Sequence, residues 1–545
     1  MLSILLALLP AVSAQYGLCL PCRVVLTQGF MWYENQGGRE LIADYQSQGC
    51  SYLFSKTICD YYLPRVSIIT EALLGRFVTP DICSLYTDCP SPVYVKEDLS
   101  KWQQDLLAAK PSYTAATPTG QSFRFAQISD VHLDPLYTEG ASTICGGNTC
   151  CRAGDGTEKP VAGYWGDFNC DIPVRTFESA LQNLYTKGAE FILMTGDYAT
   201  NNWADDTQTT RLNAVSLVTT LLLKYFQPSV TPVYPVLGNQ DCSPSHQFDF
   251  GKEAWITGPV ATMWQDWLPA SAQASFKATG SYTLLHKNSK LRILAINTFA
   301  CSNYNFHLLR NATDPGGQIQ FMRTTLLSAE KSGEMVYILG HMAPGSPDCL
   351  TPWAAHYAAL VDRFQGVIRG QFFGGSHHDE FKVNRGVGTG APVGTLWVGP
   401  SMSTYKYRNP SYRVYTADSG TRVVNDFDNY RMDLGAANSA AGQSPKWDLA
   451  YSFQSSYVVP DLQPNSLLTM LGKLNQTSML MLGFLDNYYT DGPQTPRSCG
   501  DSCRSDFACQ VAYGQLKEVQ ACQGLSSSLQ TDFLDFATSS WIYRK

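Results

Sequence analysis

Residues 123–134 read FRFAQISDVHLD. An apolar run through Phe123, Phe125, Ala126 and Ile128 reads as a strand and stops at Ser129; Asp130, His132 and Asp134 follow at once. The same event recurs down the chain. FILMTGD (191–197) ends at Asp197, PVYPVLGNQD (232–241) at Asn239, Gln240 and Asp241, MVYILGHMAPG (335–345) at His341, and IRGQFFGGSHH (368–378) at His377 and His378. Between these runs lie amphipathic stretches such as 174–188, 211–226 and 317–333, so strand and helix alternate and the expected fold is an α/β domain, sheets flanked by helices.

Ligands of α/β sheets bind in the crevice beyond the carboxyl ends of the strands, where these five polar ends would meet. Asp, His and Asn without a thiolate suit a hard or borderline divalent ion such as zinc, manganese or iron. An aspartate shared between two ions would make a clamp for attack on phosphorus. Each residue alone is ordinary turn, cap or core chemistry: Asp130 and Asp197 as helix caps, His132 and His341 as satisfied core histidines. The ordered set of five is the signal.

The 545 residues, 44% hydrophobic, can bury a large core and more than one domain. A net charge of −7 leaves no basic footprint, which argues against nucleic acid as a partner and against a polybasic membrane patch. The opening MLSILLALLPAVSA ends in small residues and reads as a signal peptide over 1–14; its other reading, a buried N-terminal strand, sits badly with 17 cysteines. A secreted, or a vacuolar or lysosomal, location is therefore expected, with the sequons at Asn311 and Asn475 glycosylated. No later run has the length to span a bilayer.

Six cysteines, Cys19, Cys22, Cys50, Cys59, Cys83 and Cys89, fall in the first ninety residues, and spacing alone leaves fifteen connectivities open. Their layout resembles the saposin B-type domain, a small all-α bundle that touches lipid, over 15–92. That resemblance implies the nested pairs Cys19–Cys89, Cys22–Cys83 and Cys50–Cys59. A zinc site on Cys19 and Cys22, or a stapled cap with no lipid role, are the other readings. Residues 93–122, mixing Pro, Ser and Thr around a short helical pattern, read as a linker. Nearness in sequence suggests the pairs Cys145–Cys150, Cys151–Cys170, Cys301–Cys349, Cys499–Cys503 and Cys509–Cys522. Cys242 is left over, either buried and inert or reactive.

The order D-x-H, G-D, G-N, G-H and a late His-bearing strand end resembles the calcineurin-like metallophosphoesterases. With the saposin-like layout in front, WGDFNCDIPVRT (165–176), GHMAPGSPDC (340–349), HHDEF (377–381) and NPSYRVY (409–415) resemble the acid sphingomyelinase family over nearly the whole chain. The resemblance implies a metallophosphoesterase sandwich over 123–415, a mostly helical, Cys-containing extension over 416–545, and hydrolysis of sphingomyelin to ceramide and phosphocholine by metal-activated water at a two-zinc site. It assigns one ion to Asp130, His132, Asp197 and His377. The second would share Asp197 with Asn239, His341 and a histidine whose place here is taken by Gly375. The family histidine after the asparagine is Gln240 here, which donates a hydrogen bond but moves no proton. The catalytic set is then Asp130, Asp197, Asn239 and, as a weakened stand-in, Gln240. Asp379 and Glu380 are expected to orient His377, His378 to face away from it, and His246 to be a solvent-facing loop residue.

The leading function is a phosphodiesterase of this type, monomeric and working at a membrane or vesicle surface. Its rivals are a lipid-binding pseudoenzyme on the same scaffold and a phosphoesterase for soluble esters, against which the saposin-like region argues.

Overall fold

A computed structural model describes residues 99–524, apart from 288, 310–313 and 441, together with 59–61, 63–65 and 68. The expected signal peptide, nearly all of the saposin-like region with its nested pairs, and Asn311 lie outside the described residues.

Among the described residues twelve strands form two mixed sheets of six. The first has the order β12 (Asp448–Ser452), β11 (Val424–Arg431), β10 (Ser411–Asp418), β1 (Ser122–Ile128), β2 (Ile192–Met194), β3 (Val233–Pro235). The second runs β4 (Tyr282–Leu285), β5 (Leu291–Ala295), β6 (Met335–Met342), β7 (Ile368–Gly374), β9 (Pro392–Val398), β8 (Glu380–Arg385). The strands that end in polar motifs are parallel neighbours: β1, β2 and β3 in one sheet, β6 and β7 in the other.

The sheets pack face to face. Phe125 of β1 lies 5.3 Å from the rings of both Tyr337 of β6 and Phe372 of β7, and 5.0 Å from Tyr415 of β10. β6 and the later part of β7 are buried on both faces, which is why they read as nearly continuous apolar runs rather than alternating ones. On β6, Tyr337 and Leu339 face the core between the sheets, while Val336 and Ile338 join Met322, Leu326, Trp353 and Leu360 of the helices Gln318–Ser332 and Thr351–Arg363. The helices Val174–Tyr185 and Gln208–Tyr225 add Phe177, Leu181, Val215 and Val218 to the main core.

Two boundaries differ from expectation. The segment 93–122 is not a free linker throughout: its helix Leu99–Ala108 lies on Thr351–Arg363, with Leu106 buried, Trp102 4.6 Å from the His356 ring and Lys110 Nζ 2.5 Å from Asp362. The division at 415 falls inside β10. The chain beyond it supplies β11 and β12 to the first sheet before turning into the helices Pro464–Gln476, Ser478–Tyr488, Asp501–Ala512 and Leu516–Cys522.

Disulfides join Cys145 to Cys150, Cys151 to Cys170, Cys301 to Cys349, Cys499 to Cys503 and Cys509 to Cys522. Cys242 is free and fully buried, and burial pushes its thiol up, so the inert reading holds. Asn475 is exposed near the end of its helix. Among the described residues no helix is long and apolar enough to cross a membrane.

Candidate metal centre

Parallel pairing puts the carboxyl ends of β1, β2 and β3 at one edge, and those of β6 and β7 meet them from the other sheet. The loops after β1 and β2 are stitched together by Asp130 N–H to Gly196 O (3.0 Å) and His132 N–H to Asp197 O (3.0 Å). Asp130, His132, Asp197 and His377 all take left-handed backbone angles, with φ of 51°, 42°, 60° and 63°. Such conformations in non-glycine residues cost about 1–3 kcal/mol each and concentrate at functional sites.

All six expected donors converge. His132 Nε2 lies 3.2 Å from His377 Nε2 and 3.5 Å from Asp197 Oδ2; His377 Nε2 is 3.6 Å from Asp130 Oδ1. His341 Nε2 lies 3.4 Å from Asp197 Oδ2 and 2.9 Å from Asn239 Oδ1. Donors about 2 Å from a tetrahedral ion stand roughly 3.3 Å apart, so both groupings have the spacing a divalent cation needs. Asp197 Oδ2 belongs to both. The histidines are also aimed: Nδ1–H of His132 donates to Ala199 O (2.8 Å) and that of His341 to Thr195 O (2.7 Å), which points each Nε2 at the centre.

The electrostatics express the same crowding. Burial raises the Asp130 carboxyl, with the charge of Asp197 adding to it. For Asp197 burial works upward too, but the charge and hydrogen bond of His341 override it and hold the carboxyl well below the usual range. His341 is correspondingly held up, to about 10, by Asp197 against the opposing effect of burial. Burial drives His377 well down, so its ring is a neutral donor.

Gly375 has φ of 83°, and its N–H donates to Asp130 Oδ2 (3.0 Å). A β-carbon there would stand 3.3 Å from His341 Nε2. The second grouping brings ligand atoms of Asp130, Asp197 and His341 within 4.8 Å of one another, with Asn239 Oδ1 beside His341, and a side chain at 375 would press on the His341 ring. A cavity of about 250 Å³ opens onto the centre between walls that include Tyr61, Asn201, Gln240, His246, Tyr304 and Lys406.

Three expectations are corrected. Asp379 does not orient His377: its carboxylate is taken by Arg413, Asn429 and Tyr451, which tie the loop after β7 to the first sheet. Glu380 pairs with Lys382 at 2.6 Å, and His377 Nδ1 has no hydrogen-bond partner among the described residues. His246 does not face solvent. Its N–H donates to Asn239 O (2.8 Å), and its Nε2 lies 3.3 Å from Gln240 Nε2 and 3.4 Å from Asn239 Nδ2. Burial, then the charge of Arg65, lowers its imidazole to about 4. His378 does turn away from His377, and stacks on Tyr488 at 4.2 Å.

Sequence reasoning gave Asp241 no role, yet it positions the site. One carboxylate oxygen accepts from Gly238 N (2.7 Å) and Asp197 N (3.0 Å), the other from Tyr198 N (2.8 Å) and Ala199 N (3.1 Å), so it fixes the loop after β2 to the loop after β3. A carboxylate directly after the G-N-Q turn was the available signal.

Residues 123–379 match the family model of the calcineurin-like phosphoesterases, and residues 392–526 that of the acid sphingomyelin phosphodiesterase C-terminal region. Sphingomyelin phosphodiesterase B of Dictyostelium discoideum is 30% identical over 90% of this chain and 80% of its own length. The chain belongs to the acid sphingomyelinase family. Human sphingomyelin phosphodiesterase is 33% identical over 74% of this chain and 65% of its own length. Human acid sphingomyelinase-like phosphodiesterase 3b is 30% identical over 73% and 90%. As a member of the acid sphingomyelinase family the chain is a metal-dependent phosphodiesterase. Its disulfides fit a lumenal or extracellular protein.

Proposed function

We propose that this chain hydrolyses sphingomyelin to ceramide and phosphocholine with zinc as its metal, as a monomer at a lipid surface in a lysosomal or vacuolar lumen or outside the cell. The observation that carries the reading is the convergence of Asp130, His132, Asp197, Asn239, His341 and His377 on spacings suited to two ions sharing Asp197. Divalent ions held there would lower the pKa of an attacking water and neutralise charge developing on the phosphoryl oxygens.

The chain's own residues do the rest. Asp197 is held twice over, by Gln240 N–H at 2.7 Å on Oδ1 and by Asp241 through its backbone N–H, so the shared carboxylate cannot swing away. The Gln240 side-chain amide lines the cavity and carries N–H groups that can donate to a phosphoryl oxygen, but it cannot protonate the departing ceramide oxygen. Loss of general-acid work costs about two to four orders of magnitude in rate. A slow enzyme follows.

The second reading, a lipid-binding protein with catalysis lost, is favoured by the same Gly375 and Gln240. Zinc analysis of the purified full chain, together with phosphocholine release from sphingomyelin vesicles, separates the two. Turnover that disappears on chelation and returns with zinc is expected. One ion or none per chain with no turnover leaves the pseudoenzyme.

A further inference from the structure

The loop from 239 to 247 carries His246, to which neither the strand-end motifs nor the likeness to sphingomyelin phosphodiesterases gives a function. We infer that His246 is a positioning residue that sets which way the amides of Asn239 and Gln240 face, and so holds the second metal grouping in working order. This rests on Asn239 being a metal ligand.

His246 Nε2 faces two side-chain amide nitrogens, Asn239 Nδ2 at 3.4 Å and Gln240 Nε2 at 3.3 Å. An amide NH₂ offers hydrogens only, so the imidazole nitrogen between them must be the acceptor and the ring hydrogen sits on Nδ1. With its NH₂ drawn to His246, Asn239 turns its oxygen to the opposite side, where it lies 2.9 Å from His341 Nε2. Flipped, the amide would present N–H to the cation. Gln240, anchored by one amide hydrogen, keeps the other for substrate.

Stability gives no reason for a histidine here. Its Nδ1 is buried with no hydrogen-bond partner among the described residues, and its φ of 68° is left-handed. Both features cost free energy that an apolar ring in the same place would in part avoid. The surroundings nevertheless hold the ring still. The Tyr304 ring packs edge-on at 5.3 Å, His246 N–H is bonded to Asn239 O, and Ser245 N–H to Asp206 Oδ1 at 3.0 Å. Asp206 is itself paired with Arg65 at 2.8 Å.

The test uses the full chain loaded with zinc and the variants His246→Leu and His246→Gln, the latter keeping an acceptor oxygen. Bound zinc is followed against a competing chelator, and kcat and KM are measured on sphingomyelin vesicles. His246→Leu should release one ion per chain at about 10- to 100-fold lower chelator, the usual effect of losing an outer-shell partner, with kcat reduced and KM nearly unchanged. His246→Gln should stay close to wild type in both. Should His246→Leu fail to fold, His246→Met takes its place in the comparison. Equal loss in the accepting and non-accepting variants, or loss in neither, overturns the inference. So does a wild type holding fewer than two ions, while wild-type turnover judges the enzyme reading separately.

Discussion

At the scale of single residues the site is set by what each side chain is bonded to on its far side. His132 and His341 are aimed by carbonyls and Asp197 by Gln240 N–H, whereas His377 Nδ1 has no hydrogen-bond partner among the described residues. Gly375 stands beside His341, where an added side chain would meet the second grouping. Gly375→His together with Gln240→His should tighten zinc binding at the second grouping and increase phosphocholine release, each roughly 10- to 100-fold. The cost is a side chain in a left-handed position, which Asp130, Asp197 and His377 already tolerate. No gain in either zinc or rate would count against equating position 375 with the family's ligand.

At the scale of elements, loops far apart in sequence are locked to one another by buried carboxylates. Asp171, fully buried, accepts from Asn201 N (2.7 Å) and Nδ2 (2.8 Å), while Ser403 Oγ lies 3.4 Å away, so three loops around the cavity meet on one carboxyl. Burial raises that carboxyl to about 6. The folded chain thus binds its proton more tightly than an unfolded aspartate, with pKa near 3.9, would, and the penalty of burying the charge is relieved as pH falls through 6. The stability difference between wild type and Asp171→Asn should therefore shift in favour of wild type by about 2 kcal/mol between pH 7 and pH 4. Parallel denaturant melts across that range check it, and a constant difference would refute it.

At the scale of the whole molecule, the C-terminal region completes a sheet instead of trailing from it. β10 pairs with β1 along six residues, and β11 lays Phe427 5.4 Å from Tyr415 and 5.6 Å from Trp397 of the other sheet. Asp418 reaches back to accept from Thr119 N at 2.7 Å and Gly120 N at 3.2 Å, pinning the entry to β1. A chain ending at 415 should therefore fail to fold: it would cut β10, leave its outer edge unpaired and expose the aromatic core. Insolubility, or a melt without a cooperative transition, is the expected result. A soluble, cooperatively melting product would show that the catalytic domain does end there.

What the sequence determined by itself was the class of fold and the donors at the strand ends. Apolar runs stopping at Asp, His or Asn are a local pattern, and parallel strands bring such ends together whatever the rest of the chain does. The limits of the domain were not legible, because β10–β11–β12 pairing joins residues on either side of 415 through hydrogen bonds that leave no local mark. Nor were the orienting partners. Asp379 and Glu380 stood next to His377 in sequence, but Arg413, Asn429 and Tyr451 take the first and Lys382 the second. His246 looked like a lone loop histidine until the loop folded back onto Asn239. Which lone pair meets which donor is fixed by distances of about 3 Å between residues remote in the chain, and only the tertiary structure sets those.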